Sequence, residues 1–249
     1  MRTYSTGPLR RALHRFSTLF FPPVCPICLK SLWRPEDGSL CAECSSSCRP
    51  ITPPFCNRCG RPFEGDEGHE CQDCLMEPPP YRYMRSAYVY DGPLRQAILA
   101  FKMMREISRA APLAGLLLAT QQLGIDWEGY DLVVPVPLHD NRLRWRGYNQ
   151  CSLLLREVAR YRRVAWTEGA LVRIKDTTPQ FMVLPKERRK NVVGAFACPN
   201  PSDVDNRSIL LVDDITTTGS TIMECAKALR EAGASAVDAA VLSRPMKNI

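Results

Sequence analysis

Two groups of residues in this 249-residue chain combine type and spacing in ways that do chemistry. The first is a set of cysteines. Cys25-x2-Cys28 and Cys41-x2-Cys44 are separated by twelve residues, and Cys56-x2-Cys59 and Cys71-x2-Cys74 by eleven. A two-residue spacer lets both sulfurs of a doublet face one ion, so each quartet has the count and spacing of a four-thiolate zinc ribbon. Two structural zinc ions are expected. Sequential quartets are the default, a cross-braced arrangement is the alternative, and Cys48 and His69 lie close enough in sequence to compete as ligands. The second group is the segment 209–221, ILLVDDITTTGST. An apolar strand there ends in Asp213 and Asp214, passes through a hydroxyl-rich turn with Gly219, and enters a helix. Backbone N–H groups of such a turn and of the helix start converge on one point, which suits a phosphate dianion. Thr216, Thr217, Thr218, Ser220 and Thr221 add hydroxyl donors, and Gly219 lets the backbone approach closely. Two adjacent carboxylates beside a phosphate repel it unless a sugar diol or Mg2+ lies between them.

Several rival chemistries are excluded. The chain has no glycine-rich loop ending in Gly-Lys-Ser/Thr and no Gly-x-Gly-x-x-Gly, which disfavours P-loop ATPases and Rossmann dehydrogenases. No Ser or Cys stands in a nucleophile elbow. The remaining cysteines, Cys151, Cys198 and Cys225, read as packing residues.

The elements that must position these groups follow from composition. With 45% hydrophobic and 24% charged residues the chain is globular, and its net charge of +7 favours anionic partners. No apolar run is long enough to span a membrane, and Arg10, Arg11, His14 and Arg15 break any signal-peptide layout, so a cytoplasmic protein is expected. Residues 1–24 form a basic segment with Leu9, Ala12, Leu13, Phe16 and Phe20 at helical spacing, ended by Pro22 and Pro23. This helix either packs on its own protein or docks on an acidic partner or membrane surface. Residues 25–75 are too poor in aliphatics to bury a core, so metal substitutes for one. That module either contacts nucleic acid or protein through Arg34, Arg49, Arg58 and Arg61, or is a docking lobe folded by zinc. Residues 76–80 form a Pro-rich linker, and 81–249 have the composition of an α/β domain. Strands are expected at Ala87–Tyr90, Leu132–Leu138, Ile209–Val212 and Ala236–Leu242, and helices from Pro93 to Met104, around Leu113–Leu123 and from Ser220 to Ala232. Continuous aliphatic strands between helices argue for a parallel sheet. A basic loop is expected over His139–Gln150.

The segment 209–221 closely resembles the 5-phosphoribosyl 1-pyrophosphate (PRPP) motif of type I phosphoribosyltransferases. The resemblance implies an α/β fold with a type I phosphoribosyltransferase-like parallel sheet flanked by helices, preceded by the small four-cysteine zinc-ribbon module. It also implies that Asp213 and Asp214 bind the ribose hydroxyls, that Thr216, Thr217, Thr218, Gly219, Ser220 and Thr221 bind the 5′-phosphate, and that PRPP arrives with Mg2+. In that family a loop after an earlier strand cradles pyrophosphate, a role that falls to Arg142, Arg144, Arg146 and Gly147. The stretch Lys175–Phe196, with Thr177, Thr178, Gln180, Lys186, Arg188, Arg189, Lys190 and Asn191, matches the flexible loop that closes over PRPP; otherwise it is a basic patch suited to nucleic-acid phosphates. The cysteine module, PVPLH, RLRWRGYNQ, Gln180, RRKNVVGAF and LLVDDITTTGST together, in this order, resemble the ComF family. That resemblance implies phosphoribosyl transfer to an acceptor it does not name, and a role in DNA uptake beside a helicase-like competence protein. A non-catalytic module that senses PRPP or a nucleotide and binds single-stranded DNA is the alternative, with Trp145 and Tyr148 as stacking residues. Purine-salvage relatives carry an Asp four positions after the first acid; this chain has Thr217 there.

Overall fold

The structure is a computed structural model and describes residues 24–25, 27–32, 40–63, 65–66, 68–178, 183–184 and 187–246. The basic segment 1–23, Arg34, Gln180 and Lys186 lie outside the described residues. Each cysteine quartet closes in sequence order rather than cross-braced. The sulfurs of Cys25, Cys28, Cys41 and Cys44 all lie within 4.8 Å of one another, as do those of Cys56, Cys59, Cys71 and Cys74. Cys28 Sγ is 3.6 Å from Cys41 Sγ, and Cys59 Sγ is 3.7 Å from Cys71 Sγ. A tetrahedral zinc ion with bonds of about 2.3 Å holds its sulfurs about 3.8 Å apart, so both quartets fit it. Neither Cys48 nor His69 belongs to a quartet. The second doublet of each quartet opens a short helix, α1 (Ala42–Ser47) and α2 (Gln72–Met76). The N–H groups of Cys41 and Cys71 donate to the sulfurs of Cys25 and Cys56 and stabilise their thiolate form.

Beyond the ribbons the chain alternates strands and helices. Strand β1 (Met84–Val89) leads to helices α3 (Gly92–Met103) and α4 (Ala110–Leu117), the latter continued by a tighter turn over Leu118–Leu123. Strand β2 (Leu132–Pro135) is followed by α5 (Asp140–Arg146) and α6 (Gln150–Tyr161). A small antiparallel pair, β3 (Val172–Arg173) and β4 (Phe196–Ala197), brackets α7 (Arg188–Val192). Strand β5 (Ser208–Ile215), helix α8 (Ser220–Glu231) and strand β6 (Ala236–Arg244) complete the domain. The main sheet has the order β1-β6-β5-β2 and is parallel throughout. Its central strands are buried on both faces. Ile209 and Leu211 of β5 pack in the cluster that holds Ile222 and Leu229 of α8, whereas Leu210 and Val212 pack with Leu94 and Phe101 of α3 and Leu154 of α6.

Three expectations need correction. Strand β2 pairs only over Leu132–Pro135, with one further bond from Val136 N to Val212 O, because Pro137 has no N–H to continue the ladder. Strand β5 runs on to Ile215 and carries both aspartates within it, since their backbone still pairs with β6 beside Val241. His139–Gln150 is not a loop. His139 Nδ1 accepts from the N–H of Asn141 to start α5, Gly147 ends that helix with φ +88°, and the Asn149 side chain caps Cys151 N at the start of α6.

The ribbons cover β1, which would otherwise be an open sheet edge. Ile51 N donates to Ala87 O and Val89 N to Arg49 O. Arg109 Nη1 donates to Ile27 O of the first ribbon, while Arg244 Nη1 donates to Cys59 O and Met84 N to Arg58 O of the second. Gly60 has φ +62°, and a Cβ there would lie 2.4 Å from Met84 O. The left-handed backbone alone costs a larger residue about 1–2 kcal/mol, so Gly60→Ala should lower the thermal midpoint by at least about 3 °C. Calorimetric melting checks this, and an unchanged midpoint would contradict the close approach.

Candidate active site

The carboxyl end of β5 carries the turn that the sequence singles out. Thr216 N donates to Ser243 O of β6, which holds the turn against the neighbouring strand. Gly219 takes φ +82° and stands as the N-cap of α8 without a side-chain cap. Thr218 and Ser220 share a hydroxyl hydrogen bond of 2.8 Å, and Ser220 N approaches Thr218 Oγ1 at 3.4 Å. A twelve-residue helix therefore begins here with its positive end toward the hydroxyl-rich turn. Thr217, Thr218 and Thr221 are half-buried, and Thr216 and Ser220 are buried.

Asp213 and Asp214 are only 7% and 2% exposed, yet they lie in a polar nest. Lys102, near the end of α3, places Nζ 2.9 Å from Asp214 Oδ1 and 2.8 Å from Oδ2. Burial works against the Lys102 ammonium, but the two aspartates outweigh it and hold its pKa above the ordinary lysine value. Asp213 Oδ1 accepts the N–H of Asp214 at 2.9 Å and the Cys151 thiol at 3.4 Å. Burial first, then the charge of Asp214, pushes the Asp213 carboxyl up to about 7 against the pull of Lys102. Burial and the same two aspartates push the Cys151 thiol well up, so it stands as a neutral donor.

Of the expected basic residues, Arg142 and Arg146 come together and Arg144 does not join them. Burial, then the charges of Arg173 and Arg146, push Arg142 below the usual guanidinium value. Arg146 is buried and its guanidinium bonds Gln150 Oε1, whereas Arg144 is exposed and bonds Asn141 Oδ1. Arg173 of β3 donates to Thr177 Oγ1, and it lies in the fields of Asp176 and Asp213. Asp176 accepts from Asn141 Nδ2 at 2.5 Å, and that bond, ahead of the fields of His139, Arg142 and Arg173, holds its carboxyl below the usual range. The antiparallel pair thereby sets one more cation beside the two that α5 supplies.

The described part of Lys175–Phe196 is tied down. Arg188 Nε donates to Val183 O, Arg189 pairs with Glu77, Asn191 Nδ2 donates to Thr178 O, and Gly194 N donates to Glu224 Oε2. Tyr148 packs against Phe101 with its hydroxyl on the Phe101 carbonyl, while Trp145 is 57% exposed. Sequence reasoning missed Lys102, Arg173 and the donor role of Cys151. Lys102 left a signal, since it stands four residues after Ile98 and eight after Leu94, on the stripe of α3 that faces the core. A lysine on such a stripe calls for a buried partner. Arg173 and Cys151 left none.

Comparison with known proteins agrees with this architecture. The Double zinc ribbon domain family matches residues 16–75, and the Phosphoribosyl transferase domain family matches residues 156–248. The DNA utilization protein YhgH of Escherichia coli (strain K12) is 32% identical over 234 residues, covering 92% of this chain and 100% of that protein. Competence protein F of Haemophilus influenzae is 31% identical over 233 residues, covering 90% of this chain and 98% of that one. Competence protein ComFC of Bacillus subtilis is 26% identical over 209 residues, covering 80% and 81%. With a double zinc ribbon joined to a phosphoribosyltransferase domain, and a relative matched along nearly its whole length, the chain belongs to the ComF family.

Proposed function

We propose that this protein binds PRPP at the carboxyl end of β5 and transfers its phosphoribosyl group. The observation that carries the reading is the strand–turn–helix of 209–221, where a helix start with Gly219 as its N-cap and a run of hydroxyls stand beside two buried carboxylates. In this reading the N–H groups and hydroxyls of Thr217–Thr221 hold the 5′-phosphate, with Thr216 anchoring the turn. Asp213 and Asp214 accept the ribose hydroxyls, which displace Cys151 and Lys102 as their partners. Arg142 and Arg146, joined by Arg173, neutralise the pyrophosphate. The acceptor's lone pair attacks C1, the C1–O bond to pyrophosphate breaks, the electron pair leaves with the pyrophosphate, and the acceptor's proton passes to that departing pyrophosphate. Positioning and charge stabilisation supply the catalysis. Thr217 cannot take the acceptor's proton, which argues against a purine base.

Magnesium enters with the substrate. The cluster of Cys151, Asp213 and Asp214 is compact enough to hold a cation, but a thiol is a poor ligand for Mg2+ and Asp214 is already paired with Lys102. A protein-held magnesium does not fit these donors. The ion would instead neutralise PRPP itself.

The relatives named for competence and DNA utilisation support a role in handling DNA, and the cytoplasmic setting and helicase-like partner that the family resemblance implies complete this reading. Trp145 favours a second reading, a non-catalytic PRPP sensor that binds single-stranded DNA. It is exposed, stands between Arg144 and Arg146, and its carbonyl accepts from Arg105. Pyrophosphate release from Mg-PRPP with candidate acceptors separates the two: turnover supports the transferase, and binding without turnover the sensor.

Replacing both acids, Asp213→Ala with Asp214→Ala, should abolish Mg-PRPP binding in calorimetry while both zinc quartets stay filled; unchanged affinity would defeat the assignment. The raised pKa of Asp213 gives a pH test. Its ordinary value is 3.8 and its folded value about 7. Ionisation therefore costs the fold nothing below about pH 4, increasingly more up to about pH 7, and a constant amount above, of the order of a few kcal/mol. Asp213→Asn should melt higher than wild type at pH 8, with the gap closing toward pH 4, and should bind PRPP more weakly. In the wild type, affinity should rise with pH through 7. A variant no more stable than wild type at pH 8 would contradict the buried-carboxylate picture.

A further inference from the structure

The second zinc ribbon stands behind the phosphate turn, and the contacts between them run through few residues. Tetrathiolate zinc is a dianionic centre, so burying it calls for cations nearby. Two arginines answer. Arg61 lies in the field of Cys59 and Cys71, and Arg244, only 2% exposed, donates through Nη1 to Cys59 O at 2.6 Å. Arg244 is the last residue of β6. The residue before it, Ser243, accepts the Thr216 N–H through its carbonyl at 3.0 Å and donates its hydroxyl to Asp214 O at 3.3 Å. The same ribbon knuckle fixes Met84, whose N–H donates to Arg58 O at 2.7 Å and whose carbonyl lies against Gly60. Met84 Cε and the Tyr81 hydroxyl in turn back Gly219, at 3.6 and 3.8 Å from where its Cβ would stand. Tyr81 itself packs with Cys56, Cys59 and Cys74. The first ribbon has an equivalent anchor, Arg109 on Ile27 O, but it docks against the α3 and α4 side of the sheet.

We propose that Arg244 is a positioning residue which couples the zinc-filled second quartet to the phosphate turn, so that the turn keeps its shape only while that quartet holds its metal. Without the dianionic centre, a buried guanidinium loses its counter-charge, its Nε being already without a hydrogen-bond partner. The end of β6 then loosens, and with it the Ser243 contacts that seat Thr216 and Asp214. Among the described residues, the arginine anchor of the first quartet, Arg109, leads to the start of α4 and not to β6.

This inference rests on the reading of 216–221 as a phosphate site, and ribose 5-phosphate is the probe that separates the two. Arg244→Met should weaken ribose 5-phosphate binding at least about tenfold in calorimetry, with inorganic pyrophosphate affinity within about twofold of wild type. Arg244→Lys should restore most of it, and Arg109→Met should leave it unchanged. Equal ribose 5-phosphate affinity in Arg244→Met and wild type, or equal loss in Arg244→Met and Arg109→Met, overturns the coupling. Failure of the wild type to bind ribose 5-phosphate at all instead removes the phosphate-site reading, and the inference with it. Should Arg244→Met not fold, hydrogen exchange in the wild type decides. Stripping zinc with a chelator should speed exchange at the amides of 216–221 while those of 150–161 stay protected, and uniform exchange across both overturns the proposal.

Discussion

Two neighbouring carboxylates buried at the end of a central strand impose the main constraint on this protein. Asp213 and Asp214 cannot both carry full charge in a dry interior without compensation. The fold answers with one cation and one neutral donor. Lys102 reaches Asp214 from α3, the Cys151 thiol reaches Asp213 from α6, and Asp213 drifts toward protonation near neutral pH. Below about pH 7 the nest therefore holds one carboxylate charge against one ammonium. Such an arrangement is costly for stability and suited to exchange, because the hydroxyls of a sugar diol can replace both partners without leaving a carboxylate unsatisfied.

Around that nest the architecture is divided between holding and covering. The parallel sheet sends β5 to the nest, and α8 begins where an anion would sit. The antiparallel β3–β4 pair adds Arg173, and α5 adds Arg142 and Arg146. Burial and the fields of Arg173 and Arg146 lower the basicity of Arg142 more than Asp176 restores it. A cluster of cations left under-neutralised in this way meets the electrostatic condition for binding an anion of high charge. The zinc ribbons protect the β1 edge, and their cysteines belong to the same packed clusters as the sheet residues. Metal here supplies what aliphatic side chains would supply in a larger lobe.

Much of this was legible in the sequence. The Cys-x2-Cys spacing gave both quartets, because two sulfurs on a knuckle have few other geometries. The aliphatic runs gave the central strands β5 and β6, because the stretches buried on both faces, Ile209–Val212 and Ala239–Leu242, are aliphatic. Legibility failed where the determinant was local or long-range. His139 and Asn149 are side-chain caps, and such caps turned an expected basic loop into one short helix and the start of the next. Pro137 shortened β2. Arg173 and Cys151 matter only because the fold brings them to Asp213 from strands and helices far along the chain, a relation no spacing records. Lys102 could have been found, since a lone lysine on the apolar stripe of α3 required an acidic partner.

The most direct test of the central claim is a crystal structure with Mg-PRPP bound. The account predicts the 5′-phosphate seated on the amides and hydroxyls of 217–221, the ribose hydroxyls on Asp213 and Asp214, and Lys102 displaced from Asp214. PRPP found elsewhere, or bound with the Lys102–Asp214 pair intact and both carboxylates untouched, would contradict it.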